Sequence, residues 1–203
     1  MSVRALLASS LGAAGMTPSQ AAGPLVTALC VLLTAHMNGL CFADLKPDNM
    51  CLSGERACVV DAGSVTAFGN PINSASQQYY QQEEPIASAR FDRVCWASTA
   101  YHLVMGNPPP DASSIYTPRQ ALAIECLLPP LGTARPSTPR EALALVIESA
   151  LDSKLSLINL IGVVIHQFQP DQAAVYAQLR YVSGRVLGGA LLPAEIWSSV
   201  FQY

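Results

Sequence analysis

The run Asp44-Leu45-Lys46-Pro47-Asp48-Asn49, followed by an apolar stretch that ends in Asp61-Ala62-Gly63, decides how the rest of this chain is read. One Asp stands five residues before an Asn in the same loop, and a further Asp follows that Asn by twelve. Between them lie Asn49-Met50-Cys51-Leu52, a turn at Ser53-Gly54-Glu55-Arg56, and Ala57-Cys58-Val59-Val60. Turn residues between two short apolar runs, the second rich in β-branched side chains, predict a small hairpin. That hairpin carries Asn49 and Asp61 to the same edge. Ahead of the loop, Leu40-Cys41-Phe42 reads as a short strand, and before it comes a helix with its own start signal. Thr17 is the N-cap, Pro18 the first helical residue and Gln20 the third. The helix should run to about Met37 and end at the capping pair Asn38-Gly39. Beyond the hairpin, residues 64 to 84 are polar, rich in Gln, Ser and Asn, and without period, which predicts a loop.

With 203 residues the chain can bury a substantial core and reads as one domain, 1–203. Its balance is oily, 51% hydrophobic against 12% charged, which predicts apolar surface in need of cover. A net charge of −3 argues against nucleic acid or an anionic membrane as partner. The six cysteines lie in or beside apolar segments with no C-x₂-C pair, and they read as reduced core residues of an intracellular protein, cytoplasmic or nuclear. Residues 1–15 are a poor signal peptide, and the apolar stretch from Ala21 to Met37 falls just short of a comfortable membrane span. A buried helix accounts for it better.

Asp44-Leu45-Lys46-Pro47-Asp48-Asn49 with Asp61 resembles the catalytic loop and metal-binding Asp of the eukaryotic-type protein kinases. The resemblance implies that Asp44 accepts the substrate hydroxyl proton, that Lys46 steadies the transferring phosphate, and that Asn49 and Asp61 hold Mg²⁺. A second match is the stretch from Phe91 to Pro109. Asp92, Tyr101, Gly106 and Pro109 fit the register of the family's central helix, although the usual Trp is shifted to Trp96 and Ala97 or Ser98 stands for the small Gly. Cys126-Leu127-Leu128-Pro129-Pro130 with Arg135-Pro136-Ser137 is similar to the family's late loop. There an Arg anchors the end of the activation segment through a carboxylate, which here would be Glu83 or Glu84. Asp92, Arg135 and Glu84 are thus expected to be structural anchors. The resemblance covers about residues 17–150. The segment between the central helix and Thr117 is short for the family's substrate-docking helix. Helices are expected at Pro139–Leu151, about Leu155–Gln167, Asp171–Leu187 and after Pro193, and residues 151–203 match nothing in the family.

The departures shape the functional expectation. Leu11-Gly12-Ala13-Ala14-Gly15 lacks the spacing of a phosphate-covering glycine loop, no Val-Ala-x-Lys strand exists, and the first Lys is Lys46 itself. Ala43 replaces an Arg, Ala62 a Phe, and Phe42 a His. The expected fold is therefore mainly α with a small β-hairpin, a kinase-like C-lobe lacking the N-terminal β lobe. The expected function is that of a catalytically impaired, pseudokinase-like regulator that binds a protein partner, another kinase being the candidate, and needs no cofactor. Such a compact mimic would suit a virus or parasite modulating its host. The alternative is a divergent Ser/Thr kinase using Mg²⁺ and ATP, its N-lobe missing from this chain or supplied by a partner. A small-molecule phosphotransferase of kinase-like fold is a third reading, less close to the loop's sequence.

Overall fold

The computed structural model describes residues 15–53, 56–80, 85–110, 122 and 138–168. Within them the elements are α1 (Pro18–Met37), β1 (Leu40–Cys41), β2 (Met50–Ser53), β3 (Arg56–Val59), β4 (Thr66–Ala67), α2 (Ala89–Met105), α3 (Pro139–Leu151) and α4 (Leu157–Phe168). The expected sites Arg135, Glu83 and Glu84, the late loop around Cys126, and the helices placed after residue 168 lie outside the described residues.

Local chemistry explains where α1 begins and ends. The Thr17 hydroxyl accepts from the Gln20 amide at 3.3 Å while Gln20 Oε1 accepts from the Thr17 amide at 3.0 Å, a reciprocal cap of two donors the helix itself cannot satisfy. At the other end Asn38 is the C-cap and Gly39 turns the chain at a φ of 69°, where a Cβ would be strained. By length and composition α1 could cross a bilayer. Here it packs against α2, α4 and β3, and Leu25, Val26, Leu29 and Leu32 are fully buried. An apolar helix surrounded by other elements is a core helix.

α2 is the second axis of the core. Ser88 caps it, accepting from the Phe91 amide at 3.1 Å, so it starts a turn earlier than Asp92 suggested, and Gly106 ends it in the left-handed conformation at a φ of 81°. Trp96 is wholly buried and donates from Nε1 to the Leu25 carbonyl at 3.1 Å, tying α2 to α1. Gly15 presses onto the end of α2 so tightly that a Cβ there would lie 2.2 Å from the Val104 carbonyl oxygen. α3 packs on α2, and α4 on α3 and α1.

Two small antiparallel pairs complete the frame. β2 and β3 form the hairpin, in the register Met50↔Val59 to Ser53↔Arg56. β1 pairs with β4 through Leu40↔Ala67 and Cys41↔Thr66. The stretch after residue 63 is therefore not all loop, since β4 and a 3₁₀ turn at Gln77–Tyr79 break it up. No polar period announces a two-residue strand whose partner is the strand entering the Asp44 loop.

Arg93, which the sequence did not single out, closes the helical end. Its Nη1 donates to the carbonyls of Ala150 at 3.1 Å and Asp152 at 3.2 Å, and Nη2 donates to Leu155. These are carbonyls that the end of α3 and its following turn leave without intrahelical partners, and a cation there also meets the negative end of the helix dipole. Arg93→Ala should lower stability by about 2–4 kcal/mol, and Arg93→Lys should recover less than half, because an ammonium cannot span the three acceptors. Thermal melts of the two variants check this.

Burial also sets an alkaline limit. Burial pushes the Cys30 thiol from its ordinary value of 9.0 up to about 12. The unfolded chain would ionise there while the folded one does not, so this contribution is whole below pH 9.0 and is lost as pH rises to about 12. The decline attributable to Cys30 should be about 1.4 kcal/mol per pH unit. Urea midpoints across that range should fall less steeply in Cys30→Ala.

Candidate active site

The loop from Phe42 to Asn49 is fixed from below by α2. Asp92, fully buried, accepts from the Phe42 amide through Oδ2 and from the Ala43 amide through Oδ1, both at 2.9 Å. His36 Nε2 lies 2.9 Å from the same Oδ2. This clamp holds Ala43 in the left-handed region at a φ of 70°, a conformation a non-glycine residue keeps only when its surroundings impose it. Thr99 adds a second fixing point, its hydroxyl lying 3.1 Å from the Leu45 carbonyl and 2.8 Å from that of Cys95.

On the upper side of the loop the functional groups converge on Asp44. Lys46 Nζ donates to Asp44 Oδ2 at 2.6 Å and Asn49 Nδ2 to the same oxygen at 3.1 Å, while the Ser76 amide donates to Oδ1 at 3.1 Å. Asn49 Nδ2 also donates to the Asp44 carbonyl at 2.8 Å, which fixes the amide's orientation because only its nitrogen can face two acceptors. Lys46 reaches the Ser76 hydroxyl at 2.7 Å. Ser76 is a member of the site that the sequence did not signal. It comes from the unpatterned stretch after the hairpin and is brought in by the chain's return over the loop. His36, which nothing in the sequence marks, is likewise brought in as a partner of Asp92.

Asp61 lies apart from this group. The Val60 amide donates to the Asn49 carbonyl at 2.8 Å, so Asp61 follows directly on the residue bonded to Asn49 at the open end of the hairpin. It is exposed, has a φ of 62°, and accepts from the Gly63 amide at 3.2 Å. The structure thus joins Asp44, Lys46 and Asn49 directly and gives Asp61 no hydrogen bond or ion pair with them. Among the described residues no group of three or more Asp, Glu, His or Cys side chains gathers as a metal site. The donor chemistry nevertheless suits Mg²⁺, which takes hard oxygen ligands and keeps several waters. With Nδ2 committed to Asp44, Asn49 has Oδ1 for a cation, and Asp61 has an exposed carboxylate. These two residues would hold the metal, which would offset negative charge on a phosphate group.

A carboxylate held by three donors can take a proton from a hydroxyl brought against it, and an ammonium beside it can offset charge arriving with an anionic group. No family model matches the sequence, and no curated protein matches it. Among solved structures, the chain is similar to the kinase PK-1 of Cydia pomonella granulovirus, with a TM-score of 0.50 at 18% identity. The match covers 76% of this chain, and the chain spans 60% of that kinase. The fold is protein-kinase-like, mostly helical with small antiparallel sheets.

Asp92→Ala would leave the Phe42 and Ala43 amides and His36 facing an empty buried site. The expected loss is about 3–5 kcal/mol. A thermal melt that matched the wild type would show that the loop does not depend on the clamp.

Proposed function

We propose that this protein is a divergent protein-kinase-like phosphotransferase acting on Ser or Thr hydroxyls, and that it works in association with a second protein. The observation that carries the proposal is the Asp44 carboxylate, held at once by Lys46, Asn49 and the Ser76 amide. The loop's backbone is anchored by Asp92 and Thr99. The convergence on Asp44 fixes the position of a carboxylate that can receive a proton from a hydroxyl placed against it. In this reading Asp44 takes the hydroxyl proton, Lys46 stays with the phosphoryl group in transfer, and Asn49 and Asp61 hold Mg²⁺ that comes with ATP.

The half of such a site that encloses the nucleotide phosphates is not among the described residues. In this proposal the associated protein completes it. Each missing phosphate donor costs on the order of 10²–10³ in rate, so the purified chain alone should transfer phosphate poorly.

A second reading, a catalytically impaired regulator that acts only by association, is favoured by two substitutions and by the surface. Ala43 offers no guanidinium to a phosphorylated segment, and Ala62 no large side chain for packing beside Asp61. Met37, Phe68 and Ile86 stand exposed around the β1–β4 pair, Met37 at 69%. Exposed large apolar side chains suit a protein partner.

The test is phosphate transfer from labelled MgATP to a Ser- and Thr-containing protein, using full-length chain recovered from its native cells with whatever protein it retains. Activity that falls at least about 100-fold in Asp44→Asn, with the same partners retained, is the expected result. Activity that survives Asp44→Asn would belong to a partner kinase and establish the regulatory reading, as would no activity from either form.

A further inference from the structure

Cys51 and Cys58 stand directly opposite each other in the β2–β3 pair, and both are free thiols of intermediate exposure. The sequence placed all six cysteines in the core. Cys30, Cys41 and Cys95 are there, but these two are not. Met50 is fully buried and Ala57 nearly so, and successive residues of a strand face opposite ways, which puts Cys51 and Cys58 together on the hairpin's outer face.

The register also fixes their separation. The Val60 amide bonds to the Asn49 carbonyl, so the pair two residues further along each strand, Cys51 with Cys58, is of the same hydrogen-bonded type. Such pairs have Cα atoms about 5.5 Å apart, inside the roughly 4.4–6.8 Å that a disulfide bridges, while their Cβ atoms, at the wide end of about 4.5–5.5 Å, must draw in to about 4.5 Å for the bond to close. Cys58 Sγ already points across the pair, 3.7 Å from the Cys51 carbonyl oxygen.

The geometry points to a redox modification site: a Cys51–Cys58 dithiol that closes to an intramolecular disulfide across the hairpin and reopens with thiol reductants. With hydrogen peroxide as oxidant, one thiolate attacks a peroxide oxygen, breaking the O–O bond and giving a sulfenic acid and hydroxide. The second sulfur then attacks the sulfenic sulfur, forming S–S as the S–O bond breaks and water leaves. Two thiols and one peroxide give one disulfide and two waters, two electrons passing from sulfur to oxygen. A partly exposed disulfide of this kind stays open to thiol reductants, which makes the modification reversible. Burial pushes the thiols of Cys30 and Cys41 up to about 12 and raises that of Cys95 as well, which keeps them protonated and out of the reaction. The cross-link ties together the strands that carry Asn49 and Asp61 at their open end, and the inference does not depend on phosphate transfer.

Digestion with trypsin and an endoproteinase that cuts before Asp provides the test: cleavage after Arg56 separates the two cysteines, and cleavage before Asp48 frees Cys51 from Cys30 and Cys41, which trypsin alone leaves on one peptide because it does not cut Lys46-Pro47. The full-length protein is treated with hydrogen peroxide, alkylated and digested. The expected product is one species joining the Cys51 and Cys58 peptides, abolished by dithiothreitol and absent from Cys58→Ser. In the reduced protein phenylarsine oxide, which bridges paired thiols, should block alkylation of both cysteines together. Recovery of Cys51 and Cys58 as separately alkylated peptides after oxidation, or linked instead to other cysteines or another chain, would overturn the inference.

Discussion

The path of the loop that carries Asp44 depends on the carboxylate of Asp92. It is fully buried, it belongs to a helix, and it meets two consecutive backbone amides of a loop that has no regular partner of its own. Backbone donors inside a core must find acceptors. A single carboxylate that satisfies two of them fixes the loop's path more tightly than packing alone could. The left-handed turn at Ala43 is a consequence of that constraint, and the residue after it, Asp44, gathers Lys46, Asn49 and the Ser76 amide.

The second strained residue, Asp61, differs in kind. The residue is exposed, and among the described residues its carboxylate bonds to the amide two residues on. The contrast between a clamped Ala43 and a lightly held Asp61 suits the roles proposed for this site, a fixed base at Asp44 and a ligand at Asp61 that can still adjust.

The parts of this architecture that were legible in the sequence are those written in local rules. The Thr17–Gln20 cap, the Asn38-Gly39 stop, the hairpin and the Pro139 helix start each depend on residues within a few positions of one another. The spacing of Asp44, Asn49 and Asp61 was legible too, as a pattern, although the structure joins only the first two. What could not be read depends on distant residues meeting. Ser76 lies in a stretch with no period, and nothing local says that its amide faces a carboxylate 32 residues earlier. Arg93 looks like any helix-surface cation until α3 ends beside it. The outward pair of Cys51 and Cys58 was hidden for another reason: cysteine is apolar enough to read as core, and only the strand register turns those two away from it.

Asp92 and Arg93 are neighbours in the chain, yet one reaches back 49 and 50 residues to the loop while the other reaches forward 57 to 62 residues to the turn between α3 and α4. One turn of α2 therefore joins the early and late halves of the described chain. During synthesis the Asp44 loop would leave the ribosome well before its acceptor, so it stays without a defined shape until α2 follows, and α2 in turn waits for α3. Contacts of such long sequence separation form late and fold slowly. A nascent chain stalled before residue 92 would expose the oily α1 with nothing to bury it. Such a chain would lean on chaperones over that interval more than its modest size suggests.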